Sequence, residues 1–166
     1  MQKKVYAIDI DDQKLSIAKQ LGADVLINSL ESPPHEQIYE YTNGLGVDLA
    51  VESAGSVVTS KQVFALPRKG GEVLFLGIPY ADIKIERFFF EKIVRNELTV
   101  HGSWNSVSSP FPGKEWTTSI YYMSTGQIQV KPIISHKLAL SEGPKIFKGM
   151  INREIETVKV IFNPEK

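Results

Sequence analysis

The stretch "VYAIDIDDQKL", Val5 to Leu15, decides how this chain is read. Apolar residues run up to an acid, Asp9, and acids at 11 and 12 open a stretch that carries Leu15, Ala18 and Leu21 at helical spacing. A strand that ends in an acid and turns at once into a helix is the local unit of an α/β fold.

Working outward, the same alternation recurs. Short runs rich in Val, Ile and Leu ("ADVLIN", "VDLAVE", "GEVLFLG", "ELTVHG", "TVKVIF") are separated by stretches that predict helices over 12–21, 34–42, 57–66, 88–95, 116–124 and 141–152. Most of the apolar runs alternate too little for a sheet with one wet face, which predicts strands buried on both faces of a parallel sheet. Gly22 stands just past the first helix, where a left-handed cap is wanted, and "RKGGEV" offers a turn into the next strand. No repeat, low-complexity tract or linker divides the 166 residues, so one domain is expected. One connection is long: "GSWNSVSSPFPG", Gly102 to Gly113, predicts a functional or partner-binding loop.

Composition removes whole classes of function. Nineteen basic residues balance nineteen acidic ones, and no run of like charge offers a footprint for nucleic acid or an anionic membrane. Cysteine is absent, no basic and apolar leader opens the chain, and no apolar run has the length of a membrane span. A soluble, cytoplasmic protein without nucleic-acid or membrane partners is expected.

Asp9 is the first candidate for chemistry. In a dinucleotide-binding βαβ fold, the acid at the end of the second strand accepts hydrogen bonds from the adenosine ribose hydroxyls and opposes the extra phosphate of NADP. A capping role competes with this: "DIDD" supplies Asp11 or Asp12 for the helix N-cap, though a cap leaves Asp9 unexplained. "VESAG" (51–55) and "LFLGIP" (74–79) end apolar strands in small residues, where open parallel sheets bind flat ligands; ordinary strand-to-loop chemistry accounts for them equally well. His35, His101 and His136 lie far apart with no zinc spacing, and read as surface or packing residues. No nucleophile elbow, phosphate loop or local acid pair is present, and "NGLGVD" reads as a turn.

Together, "VYAIDIDDQKLSIAKQLGAD", "GVDLAVESAG", "GGEVLFLGIP", "ELTVHGSW", "IQVKPIISHKLALSEGPKIFKGM" and "TVKVIFNP" resemble the C-terminal half of the medium-chain, zinc-dependent alcohol and polyol dehydrogenases. "GSWNSVSSPFPGKEWTTS" is similar to the corresponding loop of the galactitol-1-phosphate 5-dehydrogenase group, while the other blocks are shared with sorbitol and threonine dehydrogenases. The resemblance implies a Rossmann-like parallel sheet with helices on both faces, lacking its first, GxGxxG-bearing strand. Residues 1–166 would then be a partial dinucleotide-binding domain, with the catalytic zinc domain and proton relay outside the chain.

Position by position, the resemblance makes Asp9 the ribose acid, Ile10 a wall of the adenine pocket and Lys14 a second ribose contact. It places Ser53 and Ala54 on the adenosine side, and Leu76, Gly77 and Ile78 against the nicotinamide. Ser103, Trp104 and Asn105 would close over that ring, and Lys159 would lie near the pyrophosphate. NAD is the cofactor implied, with zinc in the complete enzyme, and the reaction implied is oxidation of a polyol or polyol phosphate to a ketone. No residue here would be catalytic or bind metal. Sorbitol, threonine or simple alcohol dehydrogenases, or a non-catalytic remnant, are the rivals.

A missing central strand would leave "KVYAID" and "VDLAVE" with unpaired edges, each unpaired buried group costing about 1 to 3 kcal/mol. Closure of the two half-sheets on one another, or strand exchange in a dimer, is therefore expected of a stable fragment. The edge strand 97–103 is expected to pair with its copy in a homodimer.

Overall fold

The two neighbouring acids settle where the first helix begins. Tyr6–Asp9 forms β1 and Asp12–Gln20 forms α1, with Asp11 as N-cap: its carboxylate accepts from the backbone N–H of Gln13 at 2.9 Å and of Lys14 at 3.3 Å. Those are two of the helix's orphan donors. Gly22 follows α1 with φ +105°, the left-handed region that a side chain would strain, so the predicted cap is present.

The computed structural model describes residues 3–104 and 109–165, and the chain forms two compact units. One spans residues 27–109. It holds α2 (Pro34–Tyr41), β3 (Val47–Glu52), α3 (Thr59–Gln62) with the 3-10 turn Val63–Ala65, β4 (Pro67–Phe75), α4 (Arg87–Arg95) and β5 (Thr99–Gly102). The strands β3, β4 and β5 are parallel and in that order, with Ala50 beside Val73 and Val73 beside Val100. Alternate residues share a face, so Ala50 and Val73 meet Val63 and Phe64 in a core that Phe75, Phe89, Ile93 and Leu98 extend.

The other unit spans residues 1–26 and 110–166, and holds β1, α1, α5 (Lys114–Ser124), β6 (Ile134–Ala139), α6 (Gly143–Ile151) and β7 (Lys159–Asn163). Here β6 and β7 are parallel; Leu15 of α1 and Ile146 of α6 are buried, and Phe147 packs its ring on Phe162 of β7. β2 (Val25–Asn28) joins β1 in a two-stranded sheet. The chain is thus α/β, with parallel sheets flanked by helices.

The structure corrects two expectations. The strands are not covered on both faces: Leu49 and Val51 of β3 are 49% and 48% exposed and all of β5 is exposed, because only the Ala50/Val73 parity meets the hydrophobic core. The helix read over 57–66 is one α-helical turn followed by a 3-10 turn, since Val63, Phe64 and Ala65 are all buried and three consecutive residues cannot share one face of an α-helix. β1 pairs with β2, and β3 with β4 and β5, in separate sheets. No helix among the described residues is long and apolar enough to cross a membrane.

Candidate functional site

The candidate residues gather at strand ends. At the end of β1, one carboxylate oxygen of Asp9 accepts from the N–H of Ile10 at 2.8 Å and of Asp11 at 3.1 Å, an Asx-type turn that steers the chain into α1. Asp9 therefore does have a local structural task. Its other oxygen accepts no hydrogen bond among the described residues, and the side chain is only partly buried. Ile10 is exposed beside it. Lys14 points its ammonium at the Asp11 carboxylate, 3.9 Å away, and is itself exposed.

In the unit 27–109, the register places Glu52, Phe75 and Gly102 side by side at the ends of three parallel strands. The residues that follow are thus neighbours: Ser53 and Ala54 after β3, Leu76, Gly77 and Ile78 after β4, and Ser103 and Trp104 after β5. Ser53, Ala54, Leu76, Ile78, Ser103 and Trp104 are all exposed, Ile78 by 64%, and the Ser103 N–H donates to Phe75 O at 2.9 Å. Asn105 lies outside the described residues. A strip of exposed apolar side chains at the carboxyl ends of parallel strands suits a flat heteroaromatic ring.

Lys159 belongs to another strand. It opens β7 rather than following a strand end, its side chain is exposed, and its carbonyl accepts from Ser135 Oγ at 3.1 Å.

The residue that the sequence reading passes over is Glu52. It is 3% exposed, the last residue of β3, and its carboxylate accepts from Ala54 N at 3.1 Å, Gly55 N at 3.0 Å and Thr59 Oγ1 at 2.6 Å. Its parity with Ala50 was a legible signal: an acid at an inward position of an apolar strand must find donors.

The histidines behave as packing and surface residues. His35 lies against Phe88 with ring centroids 5.3 Å apart and edge-on to Tyr39, and burial among these rings lowers its pKa from the ordinary value, Glu36 opposing the shift and Lys92 adding to it. His101 meets Glu72 at 3.1 Å and His136 meets Ser135 Oγ at 3.0 Å. Among the described residues, no group of three or more His, Cys, Asp or Glu side chains fits a metal ion.

Comparison with known proteins matches residues 1–119 to the family model described as "Zinc-binding dehydrogenase". The chain is 35% identical over 137 residues to galactitol 1-phosphate 5-dehydrogenase of Escherichia coli (strain K12), covering 81% of this chain and 39% of that protein. It is 30% identical over 161 residues to L-threonine 3-dehydrogenase of Bacillus licheniformis, covering 97% and 44%. The crystal structure of galactitol-1-phosphate dehydrogenase from Escherichia coli superposes with a TM-score of 0.86 at 30% identity, over 97% of this chain and 46% of that one. The chain thus spans less than half the length of each of these relatives.

Proposed function

The chain belongs to the zinc-binding dehydrogenase family, and we propose that it is the NAD-holding portion of a polyol-phosphate dehydrogenase of the galactitol-1-phosphate 5-dehydrogenase kind. The observation that carries this reading is Asp9. A partly exposed carboxylate at the end of a strand, with one oxygen fixed by two backbone N–H groups and the other accepting no hydrogen bond among the described residues, fits the paired hydroxyls of a ribose. Its charge favours NAD over a cofactor with a 2′-phosphate.

Ile10 and Lys14 are proposed to flank the adenosine end, with Ser53 and Ala54 on the adenosine side of their own unit. Leu76, Gly77 and Ile78 would bear the nicotinamide, Ser103, Trp104 and Asn105 would cover it, and Lys159 would serve the pyrophosphate. The exposed apolar surfaces of Leu76 and Ile78 would exclude water from one face of the ring. NAD supplies the hydride acceptor when bound. The described residues do not fit zinc, so no step here runs through metal, and the chain by itself is proposed to bind cofactor without turnover.

The substrate class, a secondary alcohol of a polyol phosphate, rests on the 35% relative; the protein named for threonine oxidation matches a longer span at lower identity. A cytoplasmic location belongs to the same reading. A homodimer through residues 97–103 is supported by β5, the last strand of its sheet and exposed at all four positions. Light scattering on Val100→Pro against the unaltered chain tests it: a mass halved by the proline is expected, and an unchanged mass removes that edge as the interface. The cofactor reading is tested by calorimetry with NADH on the unaltered chain and on Asp9→Ala. Binding lost in the variant is expected; equal binding in both would take the ribose role from Asp9.

A further inference from the structure

A buried acid in this fold does more than find partners. Besides the three donors on its carboxylate, the backbone carbonyl of Glu52 accepts from the N–H of Leu76 at 2.8 Å and of Gly77 at 3.0 Å. Two N–H groups sharing one carbonyl mark the end of the β3–β4 ladder. One residue thus collects five N–H or O–H groups from three places: the loop after β3, the loop after β4 and the first residue of α3.

The two loops are held in contact. Gly55 has φ +64°, and a side chain there would begin 2.7 Å from Ile78 O; one at Gly77 would begin 2.4 Å from both Glu52 Oε2 and Gly55 N. Neither glycine has room for a methyl group, so the backbones of 53–55 and 76–78 approach as closely as backbone allows. No cation among the described residues pairs with Glu52. Its carboxylate is held by neutral donors, three of them on Oε1, while Oε2 takes a second, longer bond from Gly55 N at 3.3 Å.

An amide in its place would offer one acceptor oxygen and turn an NH2 group toward the Gly55 N–H, donor facing donor. A carboxylate is the group this geometry requires.

We propose that Glu52 is a positioning residue for the dinucleotide: by fastening the loops 53–55 and 76–78 to one another, it sets the surface on which the nicotinamide end rests. The inference depends on the cofactor reading above and adds to it a residue that touches no ligand. Adenosine binding, resting chiefly on Asp9 in the other unit and only in part on Ser53 and Ala54, is predicted to depend on it less.

The test uses the full chain with Glu52→Gln and, as a wedge acting by another route, Gly77→Ala. Calorimetry gives affinities for NADH and for AMP, and amide hydrogen exchange reports on Ala54, Gly55, Leu76 and Gly77. For Glu52→Gln the expected result is faster exchange at Ala54 and Gly55 and an NADH affinity lower by about tenfold, the factor carried by a lost hydrogen bond to a charged group, with a clearly smaller loss for AMP. Gly77→Ala should repeat the selective loss. A variant that only reduced the folded fraction would weaken NADH and AMP alike, and that outcome overturns the proposal. So does unchanged exchange, or freed amides with unchanged NADH affinity.

If the unaltered chain bound AMP but not NADH, the nicotinamide half of the reading would fail and the positioning role with it; binding neither would fail the cofactor reading as a whole. Should Glu52→Gln not fold, Thr59→Val removes the 2.6 Å donor alone. The same NADH-selective loss, smaller, is then expected, and its absence overturns the proposal.

Discussion

Two acids end two strands, and the chain treats them in opposite ways. Asp9 at the end of β1 is partly exposed and gives one oxygen to the turn, leaving the other open. Glu52 at the end of β3 is buried and its carboxylate is held by Ala54, Gly55 and Thr59. Burial decides the difference. A carboxylate that keeps water on one side can exchange it for a ligand hydroxyl, whereas one buried among protein donors serves to hold backbone. The same chemical group is accordingly the proposed recognition element at one strand end and an architectural one at the other.

The comparison breaks most visibly in stability. Glu52→Ala strands three donors and is expected to cost about 3 kcal/mol, measured by urea unfolding. Removing the N-cap with Asp11→Ala should cost about 1 kcal/mol in the same assay. Asp9→Ala, which loses only an exposed turn, should cost about 0.5 kcal/mol while abolishing the proposed ribose contact. A cost at Asp9 equal to that at Glu52 would make both acids architectural and end the distinction.

The smallest effect sets the background on which these are read. Burial against Phe88 and Tyr39 lowers the His35 pKa below 6.5, so the neutral ring is the one the fold prefers. Its contribution is complete above the unfolded value and is lost as pH falls through the lower folded one. The urea midpoint should therefore drop slightly between about pH 7 and about pH 5, and His35→Gln should remove that slope. A rising midpoint would contradict the burial argument.

Much of this arrangement is legible in the sequence where local signals agree. "VDLAVE" coincides with Val47–Glu52, and the acid pair in "DIDD" locates the start of α1 because a cap is a short-range device. The strand Ile134–Ala139 does not stand out from its surroundings, although Ile134 and Leu138 alternate with polar Ser135 and Lys137; His136 on the inward parity hides the pattern. Glu52 is harder to read. Its partners lie within seven residues, but the approach of Gly77 is set by pairing between two strands, which no short window contains. The open face of β3 was unreadable for the opposite reason: Leu49 and Val51 are apolar, and composition does not say which face is covered.

The central claim is that this chain holds NAD through Asp9. Calorimetric titration of the unaltered chain with NADH and, separately, with NADPH tests it most directly. NADH is expected to bind, with NADPH at least about tenfold weaker because its 2′-phosphate would meet the Asp9 carboxylate. Equal affinity for the two, a preference for NADPH, or binding of neither would contradict it.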